Sequence, residues 1–197
     1  EGGCGGRRMC EEGVLENPRV DAVFGLHGWP GLPVGMTGTR PGPLLASVDG
    51  FTITLTGRGS HAATPYQGVD PIVCGAALVQ ALQAVVSRET DPFDPCVLSV
   101  SQFHAGSGFN VLPETAMLNG TIRALSRSRR DAVVASLRRT TEHTAAAHGC
   151  RATIETYGTT PVTNNTPEMA AYVGQVSRQA LGAKAFYPLP QPVMWGE

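Results

Sequence analysis

The chain lacks long runs of charge of one sign, and its opening residues lack the pattern of a secretion leader. Its 15 lysine and arginine residues and 16 aspartate and glutamate residues are intermixed, which gives a formal net charge of −1. Because such a chain has no extended field of one sign, nucleic acid and anionic membranes are disfavoured as partners. We expect no apolar stretch to approach the length that crosses a bilayer, and the opening residues lack a basic region followed by an apolar one. We expect a cytoplasmic globular protein with no nucleic-acid and no membrane partner.

Paired cysteine motifs are also missing. The five cysteines are widely spread, without the CxxC spacing of a zinc ribbon or a redox site. An odd number of scattered cysteines fits a reducing compartment, where small thiols fill the interior of helices and strands. The sequence therefore assigns no chemistry to any cysteine.

The chain contains enough hydrophobic residues to form a folded core. The sequence is 42% hydrophobic and 16% charged, which excludes a disordered chain. Its first residue is Glu1, and its last, Glu197, follows Trp195 and Gly196 without a helix end or a polar tail. We expect the 197 residues to be part of a longer protein.

The two ends of the chain share a pattern that differs from the middle. An amphipathic segment at 7–15 predicts a short helix, and the apolar run at 21–26 predicts a buried strand that ends at His27. A further helix is predicted from residue 167 to residue 181. We interpret residues 1–45 and 159–197 as two parts of one α/β domain that an insertion interrupts.

The insertion, residues 46–158, alternates strands and helices. The predicted segments are strands at 51–56, 97–103, 115–123 and 151–157 and helices at 70–88 and 128–149. Phe51, Ile53 and Leu55 alternate with threonines, and Asp70 with Pro71 forms a helix start. The order strand, helix, strand, strand, helix, strand predicts a ferredoxin-like antiparallel sheet with both helices on one face.

Glu1 and His27 are candidate metal ligands. Sites that activate water hold a metal through histidine nitrogen and carboxylate oxygen on strand ends and loops. His27 stands directly before a Gly-Trp-Pro turn, so an ordinary turn histidine is the alternative. These two residues alone leave the choice open.

Polar candidates also lie on the insertion. The glycine-rich segment 57–65 leaves His61 on an irregular loop, either as a donor to a developing oxyanion or as a surface histidine. Asn110, in a second glycine-rich loop, could orient a polar group or be an ordinary turn amide. Arg123 points away from the helices and could clamp a carboxylate or simply be solvated. His104 could be a core histidine.

A series of motifs occurs in the order and spacing of one family and covers nearly the whole chain. They are Glu1-Gly2-Gly3, Gly25-Leu26-His27, Gly57-Arg58-Gly59-Ser60-His61-Ala62-Ala63, Asp70-Pro71, His104-Ala105-Gly106, Asn110-Val111-Leu112-Pro113, Gly120-Thr121-Ile122-Arg123 and Met194-Trp195-Gly196-Glu197. Together they resemble the aminoacylase-like metallopeptidases. Within these, the chain is most similar to the amidohydrolase branch of hippurate hydrolases, N-acetyl-diaminopimelate deacetylases and indoleacetyl-amino-acid hydrolases.

The resemblance implies a fold and a metal centre. The fold would be part of a zinc-peptidase-like α/β catalytic domain with an inserted ferredoxin-like βαββαβ dimerisation or lid domain. Glu1 and His27 would bind metal, and each site would hold two divalent ions, with manganese, zinc, nickel and cobalt as candidates. The family's general-base glutamate would precede Glu1, and its remaining ligands would lie outside the 197 residues.

The resemblance also implies roles for the inserted domain. His61 would reach the active site of a partner subunit and stabilise the oxyanion, so the protein would be a homodimer through this domain. Asn110, Arg123 and Glu197 would bind the substrate, with Arg123 at its carboxylate. Trp195 stands where the family usually has a small residue, so we expect a reshaped pocket.

The function implied is metal-dependent hydrolysis of the amide bond of N-acyl amino acids by activated water. Two alternatives stay open. One is a dipeptidase or carboxypeptidase of the same family, and the other is a non-catalytic dimerisation fragment.

Overall fold

A computed structural model describes residues 5–196, which divide into two compact units. The first unit contains residues 5–44 and 164–192, and the second contains 45–163 and 193–196. In chain order the elements are α1 (Gly5–Glu11), β1 (Thr37–Thr39), β2 (Gly42–Leu45), β3 (Val48–Thr56), β4 (Ser60–His61), a 3-10 turn (Pro65–Gln67), α2 (Pro71–Glu89), β5 (Cys96–Ala105), β6 (Val111–Leu112), β7 (Thr115–Ala124), α3 (Arg127–Ala147), β8 (Arg151–Thr160), β9 (Thr163–Asn165), α4 (Pro167–Leu181) and β10 (Phe186–Pro188).

The second unit is a four-stranded sheet with two helices on one face. Its strand order is β5, β7, β3, β8, and every neighbouring pair is antiparallel. Helices α2 and α3 share one apolar cluster with the sheet. This is the ferredoxin-like βαββαβ arrangement, so the predicted fold is confirmed. The other face of the sheet is not covered by a helix of this unit.

The core lies between the sheet and the two helices. β3 alternates strictly between buried and half-buried residues, and its buried side chains include Phe51, Ile53 and Leu55. Side chains of α2 and α3, among them Leu78 and Leu137, complete the same cluster. Because a strand has a period of two, the threonines between the buried positions project onto the uncovered face.

Side chains cap the start of both helices in this unit. The Asp70 carboxylate accepts hydrogen bonds from the backbone N–H of Ile72 at 2.8 Å and of Val73 at 3.4 Å. In α3 the cap is Ser126, whose hydroxyl accepts from the Arg129 N–H at 3.1 Å. The predicted start at Ser128 is therefore wrong by two residues. Of the two serines, Ser126 has the extended backbone that an N-cap requires.

Helix α2 has 19 residues and a mean hydropathy of 1.4 over an 18-residue window, so its length and composition alone would allow it to cross a membrane. The expectation that no apolar stretch approaches this length is therefore wrong. The side chains of Leu78, Leu82 and Val85 are buried against the sheet. Ile72 and Val73, by contrast, are exposed on the outer side of the helix.

The first unit contains α4 and two short strand pairs, β1 with β10 and β2 with β9. Helix α4 has the predicted bounds. The segment 21–26 forms no strand, and Leu26 is 95% exposed, so the predicted buried strand before His27 is wrong. A strand needs a neighbour for its backbone groups, and no described strand pairs with this segment. Helix α1 also ends at Glu11, earlier than predicted.

Candidate functional site

The structure separates the residues that the sequence suggests for function. His61 and Asn110 lie together at one end of the sheet in the second unit, and Arg123 lies on β7 towards the other end. His27 belongs to the first unit. Glu1 and Glu197 lie outside the described residues.

His61 is held by a compact loop, residues 57–69. Two backbone hydrogen bonds of 2.9 Å, one in each direction between Arg58 and Val69, close this loop. A side chain at Gly57 would come within 2.2 Å of the Val69 carbonyl oxygen, and one at Gly68 within 2.8 Å of the Arg58 carbonyl oxygen. Both positions therefore require glycine, and the closure of the loop fixes the position of His61.

A short antiparallel pairing joins His61 to the loop that carries Asn110. β4 pairs with β6, with His61 opposite Val111. The backbone N–H of Ala62 donates to the carbonyl oxygen of Asn110 at 2.9 Å. Both His61 and Asn110 are exposed. The fold thus joins the two loops that carry His61 and Asn110, which are far apart in the sequence.

The hydrogen bonds of the His61 ring determine which nitrogen carries the proton. The backbone N–H of Ala63 donates to Nδ1 at 3.1 Å. Because Nδ1 accepts this bond, the neutral ring carries its proton on Nε2. No hydrogen bond to Nε2 is found among residues 5–196. His61 therefore presents an exposed N–H donor, the group that a developing oxyanion needs.

A cleft of about 900 Å³ opens beside His61 on the uncovered face of the sheet. Met117 of β7 lines it, with Thr54 of β3 and His104 of β5 as its partners on the two neighbouring strands. Val111 lines it as well. His104 is exposed, which excludes the alternative of a buried core histidine. Neither a role for Met117 nor this cleft was predicted from the sequence, although the alternation of β7 places Met117 on the uncovered face.

Arg123 lies on the same face of the sheet as Met117, since Ile122 and Ala124 on either side of it are buried. Its guanidinium donates to the Thr121 hydroxyl and to the Ile122 carbonyl oxygen, the latter at 3.2 Å. Within residues 5–196, no carboxylate forms an ion pair with it. The guanidinium is therefore available to an external carboxylate.

The distance between the two parts of the candidate site follows from the strand that links them. The loop of His61 adjoins the start of β7, because the Gly57 N–H donates to the Glu114 carbonyl oxygen at 2.8 Å. From Thr115 to Arg123 the strand advances eight residues, which corresponds to about 26 Å. His61 and Arg123 of one chain are too far apart to contact the same small molecule.

His27 is exposed in an irregular segment of the first unit. Its Nδ1 contacts the carbonyl oxygen of Gly28, and its ring lies edge-on to Trp29 with 6.0 Å between the centroids. Metal-ligating histidines commonly donate their other ring N–H to a backbone carbonyl, and the Nδ1 contact of His27 has this form. The part of the chain that the structure describes has no group of three or more possible ligands. It contributes one imidazole that fits a metal site.

The buried ion pair between Asp49 and Arg130 was not predicted from the sequence. Asp49 is fully buried, and the guanidinium of Arg130 donates to its two carboxylate oxygens at 2.6 Å and 3.0 Å. The hydrogen bonds that the Arg130 guanidinium donates to the carboxylates of Asp49 and Asp131 raise its pKa further above its usual value. The available signal is that Asp49 occupies an inward position of β3, where a carboxylate requires a partner. The pair joins β3 to the first turn of α3 and is structural.

Comparison with known proteins gives consistent results. The family "Peptidase dimerisation domain" (M20) matches residues 46–149. An N-acetylcysteine deacetylase of Bacillus subtilis (strain 168) is 39% identical over 161 residues, which cover 82% of this chain and 42% of that protein. The IAA-amino acid hydrolase ILR1-like 2 of Arabidopsis thaliana is 36% identical over 201 residues, or 100% of this chain and 45% of that protein.

A solved structure supports the same relationship. The YXEP protein of Bacillus subtilis, described as a dinuclear metal binding peptidase from the M20 family, superposes with a TM-score of 0.73 at 29% identity. The match covers 95% of this chain and 46% of the solved chain. The chain thus spans about half the length of the curated relatives it matches.

Proposed function

The chain belongs to the M20 peptidase family through its dimerisation domain, and on this premise we propose that the whole protein hydrolyses the amide bond of N-acyl amino acids. The observation that carries the proposal is the exposed Nε2 donor of His61 on a closed loop beside Asn110. Attack on an amide carbonyl places negative charge on its oxygen, and a fixed donor stabilises that charge. The relative named as a deacetylase of an N-acetyl amino acid supports the same substrate class.

The metal centre is also part of the proposal. Two divalent ions, of manganese, zinc, nickel or cobalt, would serve each site, with Glu1 and His27 among their ligands and Glu197 near the substrate. The contact of His27 Nδ1 with a backbone carbonyl fits a ligand role for Nε2. A bound divalent ion would polarise the scissile carbonyl and lower the pKa of a water molecule. The description of the related structure as dinuclear supports two ions.

The separation of about 26 Å along β7 between the loop of His61 and Arg123 limits what the second unit, which we call the lid, can contribute to one active site. In an N-acyl amino acid the carboxylate lies only about 4 Å from the scissile carbonyl. One lid therefore cannot supply both the carboxylate clamp and the oxyanion donor to one substrate. We propose that each active site takes Arg123 from one subunit and His61 with Asn110 from its partner.

A homodimer through the lid is required by this arrangement, and the lid has a suitable surface. β5 is an edge strand, so its outer backbone groups have no strand partner in the described sheet. On the adjoining helix α2, Ile72 and Val73 are 39% and 57% exposed. Pairing of β5 with its copy would extend the sheet and bury this apolar side. The dimer would also account for the high hydropathy of α2 without a membrane.

A cytoplasmic location completes the proposal. Cys74, Cys96 and Cys150 are buried free thiols, and Cys10 is an exposed one. Free thiols persist in a reducing compartment.

The activity can be tested with the complete protein loaded with manganese or zinc. We expect release of the free amino acid from N-acetyl and N-benzoyl amino acids, and loss of this activity on chelation. His61→Ala should lower kcat by about 100-fold or more with little change in KM, because the donor acts in the transition state. His143→Ala, which removes an exposed histidine of α3, is the matched control.

Two outcomes would contradict parts of the proposal. Wild-type turnover by His61→Ala would exclude the oxyanion role. Cleavage of dipeptides with no cleavage of N-acyl amino acids would favour the peptidase alternative.

A further inference from the structure

We propose that the cleft beside His61 binds the acyl group of the substrate and selects uncharged, apolar acyl groups through Met117. The inference rests on the proposed amide hydrolysis and adds the part of the substrate that the lid recognises. It is carried by the position of the cleft, by the side chains that line it and by the charge at its rim.

The position of the cleft decides which part of the substrate it meets. Arg123, the proposed carboxylate clamp, lies six residues beyond Met117 on β7, or about 20 Å along the same strand. The substrate carboxylate therefore binds to the other subunit's lid, away from this cleft. His61 meets the scissile carbonyl, so the cleft that adjoins it faces the group on the far side of that carbonyl. That group is the acyl chain.

The lining of the cleft favours an apolar group. Met117 and Val111 are 39% and 51% exposed, so apolar surface is open to a ligand. A methionine side chain is flexible and polarisable, and it contacts aromatic rings favourably. The ring of His104, opposite Met117 in the strand pairing, adds a flat surface. With a volume of about 900 Å³ the cleft has room for an acyl group much larger than acetyl.

The charge at the cleft disfavours an acyl group with its own carboxylate. Glu114 lines the cleft, is exposed, and forms no ion pair within the described chain. The other titratable side chains lining it are His61 and His104. A succinyl-type group would bring a second negative charge towards Glu114, which is unfavourable.

The test uses the complete, metal-loaded protein and substrates that differ in one part at a time. For Met117→Ala we expect kcat/KM to fall about tenfold with an N-phenylacetyl amino acid and less than about twofold with the N-acetyl form of the same amino acid. Met117→Leu should keep the wild-type ratio, because the volume is nearly conserved. Phe93→Ala, which removes a 96% exposed ring from the loop after α2, should leave the ratio unchanged.

Two further experiments test whether the cleft binds the acyl group or the amino-acid side chain, and whether Glu114 disfavours a charged acyl group. N-acetyl alanine and N-acetyl phenylalanine should respond equally to Met117→Ala. A loss confined to the phenylalanine substrate would make the cleft a pocket for the amino-acid side chain and overturn the acyl assignment. Glu114→Gln should raise the relative kcat/KM for N-succinyl substrates several-fold. An unchanged value would overturn the proposed exclusion of charge.

Failure of the subsite and failure of the proposed function can be told apart. Equal changes of kcat/KM for phenylacetyl and acetyl substrates in Met117→Ala overturn the subsite and leave amide hydrolysis standing. If the wild type cleaves no N-acyl amino acid, the proposed function fails, and calorimetric binding of N-phenylacetyl alanine then tests the cleft. About tenfold weaker binding to Met117→Ala supports the subsite, and equal binding overturns it.

Discussion

The surroundings of Cys74 make its thiol a poor nucleophile. It is fully buried on α2 within the apolar cluster that also contains Cys150. Burial, and to a smaller extent the neighbouring Cys150, raises the pKa of the Cys74 thiol to about 12. Because the thiolate is the nucleophilic form, Cys74 is almost entirely unreactive near neutral pH. The assignment of no chemistry to this cysteine from sequence agrees with its environment.

We expect Cys74 to resist alkylation by iodoacetamide at pH 8 in the folded protein, whereas the exposed Cys10 is modified. Peptide mapping by mass spectrometry measures the modified fraction at each site. The control is the same reaction in denaturant, where exposure returns the Cys74 pKa to its ordinary range and both thiols react. Equal rates at Cys10 and Cys74 in the folded protein would contradict the buried environment.

His61 shows how far single residues can be read from sequence. The glycines of 57–68 predict an irregular loop, and the structure has one. Spacing could not predict which ring nitrogen of His61 is left exposed, because this depends on the hydrogen bond from the Ala63 N–H to Nδ1. The pairing of this loop with the loop of Asn110 could not be predicted from the sequence either, since it arises from tertiary contact between β4 and β6.

Elements with a strong local signal were predictable, and those that depend on a neighbour were not. The alternation of β3 and the Asp70 cap of α2 are written in consecutive residues, and both elements form as predicted. The segment 21–26 has the apolar composition of a strand, but no described strand pairs with it. Composition gives a tendency, whereas a strand also needs a partner for its backbone groups.

The ion pair between β3 and α3 makes a prediction about stability. Arg130→Met leaves the fully buried Asp49 carboxylate without its bidentate partner, so we expect a loss of about 3 kcal/mol in the free energy of unfolding. Urea denaturation followed by circular dichroism measures this loss. Arg127→Met, at the start of the same helix with a 95% exposed side chain, should cost less than about 0.5 kcal/mol. Similar effects of the two substitutions would contradict a stabilising role for the ion pair.

At the scale of the whole molecule, the length of β7 connects the lid to the assembly. A strand of ten residues separates the loop of His61 from Arg123 by more than the length of an N-acyl amino acid. Two lids can surround one small substrate where one lid cannot. If each active site draws on both lids, the dimer is a requirement of the chemistry and not merely of stability.

This division of labour predicts that two inactive variants can restore each other. In a heterodimer of His61→Ala and Arg123→Ala subunits, one active site would receive the intact Arg123 of the first subunit and the intact His61 of the second, while the other site would receive both substitutions. Mixing equal amounts of the two variants, with exchange of subunits, should restore about a quarter of the wild-type kcat with an N-acetyl amino acid. Each variant alone, exchanged with itself, is the control.

No recovery in the mixture, despite heterodimers detected by native mass spectrometry, would mean that one lid supplies both residues to one site. The separation along β7 would then have to be closed by a change of fold.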